Sequence, residues 1–392
     1  MGALGVELRH IGQVRFKAKA GWEGRDSTEA LRAQAMEVDT SDLEWADVVL
    51  FRRYYNTAMK CRLDGEQKSC GFITQDMASA AAHPHGIVRQ DDITRFMWQA
   101  VRDHWEGGII YETDDNHWEI KPWNGYYPDV LAERDLIADM ARRADLVTVS
   151  MPALIPYYGR FNSKIRVIRN AVDPDLYVRD KPRGEYDKQR LVYYGSTARL
   201  RDYAGKFATG DPADGDGHAY RAVEAHKDKL TRVFLGTNPG SEEVVGRVFD
   251  EQTPYIEGIA AFSKALVESD GDIGIAPLGG DEFDRSKSEL HWLEYALADT
   301  AFIGQRFAGK NGPYDVVREG VDGFLARGRG EWQDAVGKLA RNPNLSRDIA
   351  AAAKERVLRD YDYRVRAAEW ADAFRYAAEH ARGSSGATAV AV

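Results

Sequence analysis

The sequence predicts an α/β protein built from two doubly wound domains in succession. Three observations predict it. Short apolar runs of strand length alternate with amphipathic stretches of helical period, the mark of βαβ units and a parallel sheet. The alternation pauses in the polar, turn-rich "DPDLYVRDKPRGEYDKQR" (173–190) and then restarts. At 392 residues the chain is too long for one ordinary core.

In chain order, the first 45 residues are the least legible: "LGVELRHIGQVRF" (4–16) has room for a strand, but glycines and charges blur its period. "ADVVLFRRY" (46–54) is a short apolar run of strand length. "DDITRFMWQAVRDHW" (91–105) has helical spacing through Ile93, Phe96, Met97, Ala100 and Val101. "GGIIYETDD" (107–115) is a strand ending on carboxylates, 131–145 a helix, and 146–154 and 165–174 are strands. After the linker come strand 190–196, helix 218–230, strand 231–237, helix 255–269, strand 271–278, helix 285–297, strand 300–304 and a turn with a short strand at 320–326. From Trp332 to about Ala381 the pattern is helical, and the tail "GSSGATAVAV" reads as flexible. The expected boundaries are 1–180, 186–365 and 366–392.

Composition narrows the function classes. With 44% hydrophobic and 29% charged residues the chain is globular. A net charge of −9 disfavours a sequence-independent grip on nucleic acid. Cys61 and Cys70 are too few for a disulfide framework and match no common zinc spacing, so two free thiols are expected. No apolar run approaches the roughly 20 residues of a membrane span, and no signal peptide is visible, which gives a cytoplasmic expectation.

In doubly wound sheets ligands bind outside the carboxyl ends of the strands. "RSKSELHWLEYAL" (285–297) follows such an end. Read as one helix, it places Leu290, Leu293 and Leu297 on a core stripe, and Lys287, His291 and Glu294 about a quarter-turn away. Its first amides and Lys287 suit a phosphate, and Glu294 a ribose diol. Equally, Ser286 and Glu289 form an S-x-x-E capping box, which would satisfy those amides without a ligand. "YYGSTARLRD" (193–202) offers Gly195, Ser196 and Arg199, and "GKNGPYDVVREG" (309–320) offers Gly312, Pro313 and Tyr314 with amides at the start of a short helix. In the first half, Glu112, Asp114 and Asp115 of "YETDDNHW" suit acceptor binding, base work or a metal, or are plain loop carboxylates. "TGDPADGDG" (209–217) lacks the twelfth-position glutamate of an EF-hand and reads as a loop.

These pieces, in this order over about residues 105–375, resemble the GT-B glycosyltransferases, in particular the retaining family-four-like group. "DIGIAPL…FDRSKSELHWLEYAL…GPYDVVREGVDGFLA" is similar to that group's donor segment, and "IRVIRNAVDP" to its Asn-Gly-Val-Asp segment with Ala171 for glycine. The resemblance implies two Rossmann-like domains facing a cleft, the first on the acceptor side, the second binding a UDP- or GDP-sugar, with C-terminal helices crossing back. It implies sugar transfer to an acceptor hydroxyl without a metal or other cofactor. Glu294 matches the group's second donor-site glutamate. Its first, eight residues earlier, falls on Ser286, with Lys287 or Glu282 as possible substitutes. Lys287, Arg199 and the Gly312–Tyr314 segment are the expected diphosphate contacts, and Asp114 or Asp115 the acceptor-orienting group. Asp299-Thr300 replaces the group's usual Gly-Val or Gly-Ile. Another GT-B enzyme such as an epimerase or phosphorylase and a non-catalytic nucleotide-sugar binder stay open, and so does the acceptor: a saccharide, a protein hydroxyl, a lipid-linked sugar or a modified DNA base.

Overall fold

The structure is a computed structural model. It describes residues 7–9, 16–18, 36–38, 46–52, 59–63, 66–70, 98, 102, 106–124, 127–309, 311–381 and 389–391. The chain divides into two compact units, Met1–Ser150 with Leu154–Ile168 and Ala367–Val392, and Met151–Ala153 with Arg169–Arg366.

The described strands in chain order are β1 (Glu7–Arg9), β2 (Phe16–Ala18), β3 (Met36–Val38), β4 (Val48–Arg52), β5 (Met59–Leu63), β6 (Glu66–Cys70), β7 (Gly108–Thr113), β8 (Leu146–Val149) and β9 (Ile165–Val167). They continue with β10 (Gln189–Tyr194), β11 (Leu230–Thr237), β12 (Glu251–Pro254), β13 (Ile273–Ala276), β14 (Ala301–Gln305), β15 (Phe324–Ala326) and β16 (Ala389–Ala391).

The first unit carries a parallel sheet in the order β1-β16-β4-β7-β8-β9, with hairpin-like pairs β2-β3 and β5-β6 beside it in sequence. β7 is buried along its whole length, which explains its unbroken apolar run. The helix Tyr363–Glu379 sets Ala371, Ala373, Phe374 and Ala377 against Val48, Ile110 and Leu146. It lies so close to β7 that a Cβ on Gly108 would stand 2.4 Å from the Ala377 carbonyl oxygen. Ala389–Ala391, expected in a flexible tail, pairs as a strand between β1 and β4. Of the expected helix 91–105, Trp98 and Arg102 are described and helical, and the rest lies outside the described residues, as do the Cys61 and Cys70 side chains.

The second unit's sheet runs β12-β11-β10-β13-β14-β15, every pair parallel. Counted from β10 this is the order 3-2-1-4-5-6, so the winding reverses between β10 and β13. Both faces are covered. Leu191 and Tyr193 enter one core with Ile273, Ile275 and Trp332, while Val192 and Tyr194 enter the other with Trp292, Tyr295 and Phe302.

Three expectations need correction here. The segment 285–297 is not one helix but parts of two, Glu282–Arg285 and Leu290–Leu297, separated by the four non-helical residues 286–289. The segment 173–190 does not hang between domains. Arg183 donates to the Asp270 carbonyl at 2.8 Å and the Asp272 carboxylate at 2.6 Å, Gly184 N and Tyr186 Oη reach Asp270 Oδ2 at 3.0 and 2.8 Å, and Arg179 bonds Asp270 as well. The 312–316 segment is a turn, not a helix start. The last stretch is helical as expected, in three helices, Gly328–Arg341, Pro343–Asp360 and Tyr363–Glu379. Asp299 takes φ of 57°, which explains the resembled group's glycine there; a short Asp tolerates that conformation, and Lys354 pairs with it at 2.9 Å.

Candidate functional site

The winding reverses between β10 and β13, and the carboxyl ends at such a switch point are where doubly wound sheets hold their ligands. The β10 loop begins at Gly195, whose φ of 148° is open to glycine and strained for other residues. Ser196 follows, exposed, and Arg199 N bonds its carbonyl at 2.8 Å. Arg199 then turns inward. Its Nη1 lies 2.7 Å from Asp202 and 2.6 Å from Asp284, which arrives on the β13 loop. Asp284 also accepts from Gly279 N at 2.7 Å. One cation thus joins two buried carboxylates across the switch point. Burial, with Asp284 adding to it and Arg199 opposing, pushes Asp202 up to about 7.

The break in the 285–297 segment has a local cause. Asp281 caps the short 282–285 helix by accepting from Asp284 N at 2.9 Å, and the Ser286 hydroxyl bonds the Glu282 carbonyl at 2.8 Å to close it. The capping box is not formed, because Glu289 makes no side-chain cap bond. Its carboxylate is fully buried and faces Arg169 at 3.2 Å. Burial pushes that carboxyl up against the pull of Arg169. Lys287 therefore lies off the 290–297 helix, its Nζ 4.2 Å from the Phe283 ring centroid. Glu282 is exposed and pairs with Arg285 at 3.1 Å.

Glu294 is not on a shoulder. The 290–297 helix is buried on nearly every side, Trp292 to Leu297 without interruption. The Tyr194 hydroxyl donates to Glu294 Oε2, and Tyr177 bonds the same carboxylate. Burial outweighs both donors and pushes Glu294 up to about 7. His291 stacks flat on the Tyr194 ring, centroids 4.5 Å apart, and desolvation pushes it down to about 4, so it is neutral at pH 7.

At the third loop, Gly312 N donates to Asp315 Oδ2 at 2.9 Å, Pro313 carries no N–H, and the Tyr314 ring is buried 4.9 Å from Phe302. Beside it opens a cavity of about 570 Å³ whose wall includes Arg169, Arg306, Asn311 and Gly312. The following turn is pinned by Asp322, fully buried, which takes Arg318 N and Nε at 2.6 Å each and Arg356 at 2.8 Å.

In the first unit, half-buried Asp114 and Asp115 follow β7. Tyr158 Oη donates to the Asp115 carbonyl at 2.7 Å. A hydroxyl has one proton, so His117 Nδ1, 2.6 Å from the same oxygen, is the donor to it. The Asp114–Asp115 backbone is thereby held by a buried Tyr–His pair, with Trp118 edge-on to Tyr158 at 4.8 Å.

Sequence reading passed over Tyr177, Asp202, Asp284 and Arg169. Strand alternation carried the one usable signal: adjacent Tyr193 and Tyr194 must face opposite cores, so one of them meets the helix behind β10. Among the described residues no cluster of three His, Cys, Asp or Glu is placed to hold a metal ion, and no helix is long and apolar enough to cross a membrane.

Parallel doubly wound sheets of this kind define the class: the chain has the GT-B fold of glycosyltransferases. It is similar in structure to HepE of Anabaena, solved in complex with UDP-glucose, at 14% identity and a TM-score of 0.50 over 69% of this chain and 72% of that one. It is likewise similar to sucrose-phosphate synthase of Thermosynechococcus elongatus, at 13% identity and a TM-score of 0.52 over 72% of this chain and 71% of that one. More particularly, residues 272–372 match the family described as glycosyl transferase-like. No curated protein sequence matches the chain.

Proposed function

We propose that the chain transfers a sugar from a nucleotide diphosphate sugar to an acceptor hydroxyl with retention of configuration. In this reading the 169–366 unit holds the donor and the N-terminal unit handles the acceptor. One observation carries it. The glycosyl transferase-like segment 272–372 begins at β13 and runs through Lys287, Glu294 and the Gly312 loop, all of which follow or flank strand ends of the second sheet.

Glu294, steadied by Tyr194 and Tyr177, accepts from the ribose diol. Lys287, the Gly195–Ser196 backbone and the Gly312 loop meet the diphosphate, and Arg199 braces the switch point through Asp202 and Asp284. As the bond from the anomeric carbon to the diphosphate oxygen breaks, negative charge builds on the leaving group, where fixed cations and amides act most strongly. The acceptor oxygen bonds the anomeric carbon on the same face, and its proton passes to the departing diphosphate. No enzymic base or metal is needed for that transfer, and Asp114 or Asp115 orients the acceptor. The UDP-glucose bound to HepE favours a UDP-sugar over a GDP-sugar.

Calorimetric titration with UDP, GDP and their sugars tests the donor assignment, followed by product analysis with candidate acceptors. Nucleotide lodged away from the β10–β13 switch point in a soaked crystal would overturn it. A second reading, donor binding without turnover, is favoured by Ser286, which stands buried at the first glutamate position with its hydroxyl tied to the Glu282 carbonyl. Tight UDP-sugar binding with neither transfer nor hydrolysis would select that reading.

A further inference from the structure

The cavity beside the Gly312 loop has two arginines in its wall, and their situations differ. Arg306 is spoken for on several sides, by Glu319 at 2.9 Å, the Leu325 carbonyl at 3.0 Å and Glu331 at 3.3 Å. The carboxylates of that wall are likewise engaged, Asp315 with Gly312 N and Glu319 with Arg306 and Leu325 N. Arg169 rests on one carboxylate and on the Met151 sulfur, which its Nη1 meets at 3.3 Å. Its Nη1 lies 3.2 Å from Glu289 Oε1, and its side chain keeps 24% exposure while that of Glu289 has none. Neither Glu289 oxygen makes a hydrogen bond among the described residues, so the contact is one of charge.

Two further features hold Arg169 ready. Asn170 Nδ2 bonds Ser288 Oγ at 2.8 Å, which ties the backbone beside Arg169 to the turn that leads into the 290–297 helix. Arg366 also acts electrostatically on Glu289, so Arg169 is not the sole counter-charge of that carboxylate. A guanidinium anchored at its rear and half-presented at a cavity wall keeps planar N–H donors for an oxyanion, with little ordering left to do on binding.

We infer that this cavity is an oxyanion subsite in which Arg169, anchored by Glu289, grips the ligand. The inference deepens the donor reading above and rests on it for the identity of the ligand. The oxyanion is either the diphosphate of the nucleotide or a carboxylate on an acidic sugar.

Titration of the full chain with inorganic pyrophosphate, UDP, UDP-glucose and UDP-glucuronate tests it in wild type, Arg169→Gln and Arg169→Lys. Wild type is expected to bind pyrophosphate, Arg169→Gln to weaken it by about ten- to hundredfold, and Arg169→Lys, which keeps the charge without the planar donors, to weaken it less than Arg169→Gln. Equal weakening of all three nucleotides assigns the subsite to the diphosphate. Weakening of UDP-glucuronate with UDP unchanged assigns it to a sugar carboxylate. Because Arg169→Gln strands a buried carboxylate, the pair Arg169→Gln with Glu289→Gln restores neutrality and must show the same loss. Unchanged binding of every ligand in these variants, or no pyrophosphate binding by wild type, overturns the inference. Arg169-dependent pyrophosphate binding with no nucleotide binding leaves the subsite standing and removes the donor reading instead.

Discussion

The hydroxyl of Tyr194, at the carboxyl end of β10, donates to the carboxylate of Glu294 in the interior of the 290–297 helix. The bond joins the first strand of the second sheet to the helix that follows its switch-point neighbour β13. It also places an ionisable group in a nearly dry setting, where the carboxyl rises to about 7. A carboxyl raised in the folded chain contributes stability in its protonated form. That contribution is complete below about pH 4.5 and is lost as pH rises through about 7.

Thermal unfolding should therefore show a component of about 3 kcal/mol that falls between pH 4.5 and 7 and is missing from Glu294→Gln. An unaltered pH profile in that variant would contradict the assignment. Tyr194→Phe removes one donor, should cost about 1–2 kcal/mol, and should move the falling limb to higher pH.

If Glu294 holds the ribose as proposed, Glu294→Ala should weaken UDP, GDP and their sugars alike by about tenfold or more, because that contact would be common to them. Asp115→Ala should leave donor affinity intact and slow transfer. Calorimetry with each nucleotide separates the two, and normal donor affinity in Glu294→Ala would sink the ribose role.

Arg199→Met leaves Asp202 and Asp284, 5% and 1% exposed at their side chains, facing each other without their cation. Breaking such a buried pair costs about 3–5 kcal/mol. Asp202 is already raised to about 7, so its stabilising proton is lost as pH climbs from 3.8 through 7, and without Arg199 the loss extends higher. The deficit in melting temperature should accordingly be greatest above pH 7 and shrink toward pH 4. A deficit independent of pH would show that the cluster is not ionised as described.

Gly274→Ala tests the packing beneath the site. Its Cβ would stand 2.4 Å from Tyr295 Cδ1, and that ring cannot swing away without breaking the bonds of Tyr295 Oη to the Val192 and Ile275 carbonyls, at 2.9 and 3.3 Å. A loss of about 3 kcal/mol is expected in denaturant unfolding, partly recovered when Tyr295→Leu is added.

Strand and helix content of the second unit was legible because both faces of its sheet are covered. β10, β11, β13 and β14 read as apolar runs, and the runs between them carry a helical period. β12, "EQTP", escaped notice because it is an exposed edge strand of four residues with no apolar signal. The C-terminal helices were legible as helix, but periodicity does not show where such a run is cut by caps such as Asn342.

What the sequence determined by itself was local: which segments repeat every two residues, which every 3.6, and hence that parallel α/β layers form twice. Where charges come to rest was decided by the tertiary structure alone. Periodicity placed Lys287, His291 and Glu294 in one row, yet Ser286 closes a short helix ahead of Lys287, and the packing of Tyr194 and Tyr177 takes Glu294 inside. Arg169 meets Glu289 across 120 positions, and Arg199 meets Asp284 across 85. Spacing along a helix reports neighbours three or four residues apart. Coulomb partners are chosen by which loops the winding of the sheet brings to the same edge, and that requires the whole layer to be assembled.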